Sequence, residues 1–216
     1  MFYHNDPGEK NGATFYFREF PRITTKIVER DNAPTATEMS SAVMETFSSI
    51  KRKEWSTGEE GLMGCTTFYI ISRKGVYATH WWENVSFDPD DFWREPMTQT
   101  NEELFQSTVL DMLTSAGKYH PRLDADLIEE DYIRAYLIHP TTTWQQNQGD
   151  IGYAEQWQQI RTTVGELVPT LQDPARWTDI PYTPVDEPEE LDNDRVTKGR
   201  NLFKYDPAHD VWGGQT

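Results

Sequence analysis

The sequence predicts an α+β fold, an α/β sandwich with a central mixed β-sheet or β-sandwich and flanking helices. Three observations carry that expectation. Residues 66–72 (TTFYIIS) and 76–82 (VYATHWW) are β-branched and aromatic, with a short Arg-Lys-Gly turn between them. Residues 98–115 and 154–167 repeat apolar side chains at helical spacing. Strand-like and helix-like segments alternate, but without the steady βαβ rhythm of an all-parallel sheet.

Taken in order, residues 1–13 are polar and turn-like and read as a loose arm. TFYFREF (14–20) reads as a strand, since aromatic residues favour a pleated surface, and 23–30 as a weaker one. Asp31-Asn32-Ala33-Pro34-Thr35 is a loop. Thr37 reads as the N-cap of a helix running to Arg52, with Val43, Met44, Phe47 and Ile50 as its stripe. Residues 55–61, rich in Ser, Thr, Glu and Gly, read as a loop.

The two hairpin strands carry apolar residues on both faces, which places them centrally in a sheet covered on both sides. Residues 86–96 form an acidic, aromatic loop. In helix 98–115, Thr100 and Glu103 have capping-box spacing, and Leu104, Val109, Leu110 and Leu113 form the buried side. Gly117 fits its C-terminal end. DYIRAYLIH (131–139) is a third strong strand, stopped by Pro140. Trp157, Ile160, Val164 and Leu167 give helix 154–167 its stripe. Residues 172–200 hold Pro174, Pro181, Pro184, Pro188 and the acidic run 186–190, and read as a surface excursion. NLFKY (201–205) reads as a returning strand. Residues 1–216 together read as one domain with these two appendages.

At 25.2 kDa the chain can bury most of its apolar surface without a disulfide or metal. It has one cysteine, which excludes an intrachain disulfide and a thiolate-type zinc site. Its formal charge of -16 and pI near 4.6 oppose nucleic-acid phosphate and anionic membranes, and would attract a protein with a basic surface. No apolar run is long enough to span a membrane. The start MFYHNDPGEKNG lacks the basic and apolar regions of a signal peptide. A removed leader would leave the same start, so a soluble cytoplasmic and a secreted location both stay open.

The chemistry-bearing stretch is GLMGCTTFYIISRKGVYATHWWE (61–83), which holds Cys65 and, fifteen residues on, His80. If Ser72 opposes Gly75, every opposed pair of the hairpin has numbers summing to 147. Cys65 then opposes Trp82, with His80 its diagonal neighbour on the same face, ~7–8 Å away between Cα atoms. A loop two residues longer opposes Cys65 and His80 directly, whereas an odd loop without a bulge separates them. A free thiol titrates near ~8.5, and an imidazole beside it can take its proton and return it to a leaving amine. Backbone N–H groups at Gly64 or Cys65 are candidates to face a developing oxyanion. Thr57, Ser56, Thr66, Thr67 or a backbone carbonyl are candidates to complete the oxyanion site or orient the imidazole. The alternative is a thiol buried as inert packing.

Leu62-Met63-Gly64-Cys65-Thr66 followed by His80 resembles the Leu-Ser-Gly-Cys glutamine deamidase toxins, the cytotoxic necrotising factor and dermonecrotic toxin catalytic domains among them. The resemblance implies a Cys65 thiolate and His80 on adjacent strands, hydrolysing a glutamine side-chain amide to glutamate. It also implies a mixed β-sandwich core with flanking helices. With an amine in place of water the same site would be a transglutaminase. The match covers about twenty of the 216 residues, and Met63 stands where those toxins have serine. The chain also resembles fungal proteins that carry Gly-Cys-Thr and Ser-Arg-Lys-Gly-Val-Tyr, a likeness that implies no activity. The second functional class is a non-catalytic domain of the same fold that recognises a basic partner.

Other constellations are weaker. Trp81, Trp82 and Trp93, with Phe87 and Phe92, are either substrate-cleft walls or core and rim packing. His139 reads as a strand-end residue and His120 as a loop residue. His209 with Asp206 and Asp210 fits no ligand pattern, and Asp88, Asp90 and Asp91 lack the glycine and distal glutamate of a calcium loop. Neither a metal nor a cofactor is expected. No Gly-rich phosphate loop or Gly-x-Ser-x-Gly elbow occurs.

Overall fold

The computed structural model describes residues 12–27, 33–51, 53–141, 152–184, 189 and 199–208. In chain order its strands are β1 (Thr25–Lys26), β2 (Ser41–Thr46), β3 (Trp55–Glu60), β4 (Thr66–Ile71), β5 (Gly75–Trp81), β6 (Arg134–Pro140), β7 (Trp177–Tyr182) and β8 (Arg200–Tyr205). Five form one sheet in the order β2-β5-β4-β6-β7, and three form a second in the order β1-β3-β8. Both are mixed: β6–β7 and β1–β3 are parallel, and the other pairs antiparallel. The helices are α1 (Gly12–Glu19), α2 (Ala36–Met39), α3 in three contiguous segments (Asn101–Phe105, Gln106–Leu110, Asp111–Thr114), α4 (Ala125–Ile128) and α5 (Ala154–Leu167). The chain is α+β, as its sequence predicts.

The hairpin organises the layers because both its faces are apolar. Phe68, Ile70, Tyr77 and Trp81 face the helices, where Val109 and Leu113 of α3 and Ile160 and Val164 of α5 close one core. Tyr69, Val76 and Ala78 face the small sheet and pack with Trp55 and Phe203. β4 is the middle strand of five and β5 lies beside it, the central placement that the two-sided apolar pattern requires. At the turn, Ser72 N–H donates to Gly75 O at 2.9 Å, and the Ser72 hydroxyl accepts from Lys74 N–H and Gly75 N–H at 3.0 and 3.2 Å. Ile71 faces Val76 and Thr67 faces His80, the register in which paired numbers sum to 147.

Four expected elements are different. Residues 14–20 are not a strand but lie in α1 and the 3-10 turn that follows, where Tyr16 and Phe20 stack at 4.7 Å across one helical turn. Lys204 of β8 bonds Glu19 at 2.8 Å and ties this helix down. The helix expected from Thr37 to Arg52 is a single turn, α2, capped by Thr35 instead, followed by β2. Ala42 and Met44 face the helical core and Val43 the small sheet, so the stripe has period two. The expected loop 55–61 is β3, whose polar Ser56 and Thr57 are both buried and whose backbone pairs with β8. The expected excursion 172–200 contains β7, whose Pro181 is tolerated because β7 is an edge strand.

Of the weak strand 23–30 only Thr25–Lys26 pairs, and 28–30 lie outside the described residues. Residues 1–11 of the arm and all of the acidic run 186–190 except Glu189 also lie outside them. The capping box at Thr100 and Glu103 is present, with reciprocal bonds of 3.2 and 2.8 Å. α5 and β8 form as expected, and β6 forms three residues later than expected, from Arg134, with Pro140 its last paired residue rather than its stop.

Candidate functional site

The register makes the placement of His80 concrete. The Ser72–Gly75 pair is hydrogen-bonded, so by alternation Thr67 and His80 form a closely spaced, non-hydrogen-bonded pair. His80 also opposes Ser41 of β2. Its ring is buried, and its Nδ1 has no hydrogen-bond partner. Burial pushes the imidazole down to about 3, so it is neutral at physiological pH. The Trp82 ring meets it edge-on at 4.8 Å.

Cys65 immediately precedes β4, and continuing the register sets it opposite Trp82 with His80 diagonal to it. No hydrogen bond joins the Cys65 thiol to His80 among the described residues. Cys65 is buried, with only 7% of the residue exposed. Burial pushes the thiol up to about 12, and the carboxylates of Glu83 and Glu59 push in the same direction. The backbone N–H groups of Glu83 and of Cys65 itself face the sulfur and pull the other way. Both expected catalytic groups are thus uncharged in the resting protein.

The structure adds a group that the sequence did not single out. Glu83 begins the turn after β5, and its carboxylate lies directly against Gly64. A Cβ built on Gly64 would fall 1.8 Å from Glu83 Oε2, so this approach requires glycine while Glu83 stays where it is. Glu83 Oε1 accepts the Tyr153 hydroxyl at 2.7 Å. The Tyr182 hydroxyl donates to Cys65 O at 2.7 Å and so pins the same corner from β7. Tyr153 and Tyr182 come from segments far along the chain, one at the start of α5 and one in a proline-marked strand. No local signal near Cys65 points to either.

The remaining candidates divide between the faces. Thr67 lies opposite His80 and accepts from Asn201 Nδ2 at 3.3 Å. Thr66 is on the helical face, with its hydroxyl unpartnered. Thr57 is fully buried on β3, its hydroxyl unpartnered, and Ser56 bonds Thr24 N–H at 3.3 Å. Trp81 lines no cleft: it is fully buried, stacked on Phe68 at 5.9 Å with its Nε1–H on Met112 Sδ. Trp82 and Trp93 are partly buried against Ala36, Met39, Val85 and Leu104, and Phe87 is core, while Phe92 is 70% exposed.

His139 packs at a tilt on Trp157, ring centroids 4.0 Å apart, and His120 sits against Gly117. Asp90 and Asp91 close their own loop through Asn84 and Arg94. His209 and Asp210 lie outside the described residues. No group of three or more His, Cys, Asp or Glu side chains placed to hold a metal occurs among the described residues. No helix among them is long and apolar enough to cross a membrane.

The fold is a mixed sandwich with a helical layer, and buried Cys65 and His80 and partly buried Glu83 lie toward one end of its central hairpin. Comparison of the chain with protein-family models, with curated proteins and with solved structures gave no match.

Proposed function

We propose that the chain is a thiol amidohydrolase, a protein glutamine deamidase in which Cys65 is the nucleophile. The observation that supports this most is the hairpin register. It puts the chain's one thiol and a buried neutral imidazole with an unpartnered ring nitrogen on one face, a diagonal step apart. In this reaction the sulfur attacks the carboxamide carbon as a base takes the thiol proton. The N–H groups of Glu83 and Cys65, which face the sulfur, are the candidate donors to the resulting oxyanion, and the proton leaves with ammonia. Water then cleaves the thioester and reprotonates the sulfur. His80 and Glu83 are the candidate bases. The charge of -16 favours a glutamine set among basic residues of a protein substrate.

A non-catalytic interaction domain is the second reading. It is favoured by the buried thiol at about 12 and by the exposed Phe92 and Met97, 70% and 68% accessible beside Asp88, Asp90, Asp91 and Glu95. The two separate on the alkylation rate of Cys65 by chloroacetamide at pH 7, read by intact mass. An amidohydrolase alkylates at least as fast folded as unfolded in urea. A packing thiol near 12 alkylates about 10²-fold slower when folded, because so little thiolate is present.

A further inference from the structure

We propose that Glu83 is the acid–base residue of the Cys65 site, and that its carboxylate, not the His80 imidazole, exchanges the thiol proton. This rests on the amidohydrolase reading and names a residue for it. Neither the His80 ring nor Glu83 Oε2 is hydrogen-bonded to the sulfur among the described residues; what separates them is that the buried ring is the weaker base and that the Glu83 backbone N–H already faces the sulfur. The Glu83 carboxylate lies over Gly64, where a built Cβ would fall 1.8 Å from Oε2. Tyr153 holds Oε1 at 2.7 Å and fixes the carboxylate there, and no described donor or ion pair engages Oε2. One oxygen is therefore anchored, and the other lies over Gly64, the residue before Cys65.

The surroundings suit that work. Burial raises the Glu83 carboxyl above the usual carboxylate range, the Tyr153 hydroxyl lowers it, and Asp88 raises it. Tyr182 from β7, Glu59 from β3, His80 from β5 and the thiol itself are the other described titratable groups around the corner. A carboxylate drawn toward neutrality is a better proton acceptor at pH 7 than an ordinary one. The steps balance. Sulfur forms the C–S bond while its proton passes to Oε2; the Glu83 acid then protonates the leaving nitrogen, and ammonia departs. Water adds to the thioester as Oε2 takes its proton, and that proton returns to sulfur as the C–S bond breaks.

Substituting Glu83 separates this role from a merely electrostatic one, because the two predict opposite signs. A negative neighbour that acts only through its field suppresses the thiolate, so Glu83→Gln would speed alkylation of Cys65. A base that takes the proton is lost in Glu83→Gln, so alkylation slows. The experiment measures chloroacetamide alkylation of the full chain from pH 5 to 10 for wild type, Glu83→Gln, Glu83→Asp and Tyr153→Phe, with Cys65→Ala as the mass control. The proposal expects a fast wild type, a loss of about 10²-fold at pH 7 in Glu83→Gln and partial recovery in Glu83→Asp. It expects the acid limb to move to higher pH in Tyr153→Phe, which lacks the hydroxyl that favours the carboxylate. A Glu83→Gln rate equal to or above a fast wild type overturns the role of Glu83 and leaves the amidohydrolase reading with His80 as base. A wild type slower folded than unfolded overturns that reading and the role of Glu83 with it.

Discussion

His80 is a histidine that burial keeps neutral, and that has a consequence for stability. Its ring falls to about 3 in the folded chain and titrates near ~6.5 in the unfolded one. Between those values the unfolded state binds the extra proton, so stability is full above pH ~6.5 and is lost as pH falls toward 3. The limiting slope is ~1.4 kcal/mol per pH unit for one such group. Thermal melts from pH 7 to 5 should show Tm falling with pH, and His80→Gln should flatten that fall; an unchanged slope would mean that the ring is already charged or solvated. Glu83 has the opposite sign. Its carboxyl is raised, so ionising it opposes folding as pH rises through the folded value, and Glu83→Gln should raise Tm at pH 7. The residue that does proton work in our account is therefore also one that costs stability.

The hairpin is the element on which the site depends, and it was legible because its constraints are local. Two β-branched, aromatic runs and a Ser-Arg-Lys-Gly turn fix parity, and parity fixes which face Cys65 and His80 share. Gly75 guards that geometry from the side, since a Cβ there would meet Glu45 O at 2.3 Å and Thr46 Cα at 3.1 Å. Gly75→Ala should cost about 2 kcal/mol or more, because backbone of β2 must move, and urea unfolding measures it. A cost below ~0.5 kcal/mol would show that β2 yields freely. What the sequence hid was tertiary. SAVMET (41–46) carries apolar residues that fit either period, and the partner strand decides between them. WSTGEE (55–60) lacks strand propensity, but β8 supplies its ladder. Glu83 is one charged residue after a strand, and its meaning comes from Gly64, Tyr153 and Tyr182, which the fold gathers from elsewhere.

At the scale of the whole molecule, a small sheet and a helical layer enclose the five-stranded sheet, and the surface carries a net charge of -16. Like charges at that density repel in the compact state, so raising NaCl from 20 to 200 mM should raise Tm at pH 7 by screening. No rise would mean that cation pairs such as Lys204 with Glu19 and Glu54 already offset the repulsion. The same field should draw a basic substrate to the hairpin end, with association weakening in salt. All of this serves a function only if the corner at Cys65 is chemically active. The burial that makes the sheet stable also raises the thiol, and a base beside it has to offset that. The most direct test is the chloroacetamide alkylation rate of the lone cysteine at pH 7, folded against urea-unfolded. Our account predicts a folded rate equal to or above the unfolded one; a folded rate about 10²-fold lower, rising only as pH approaches 12, would contradict it.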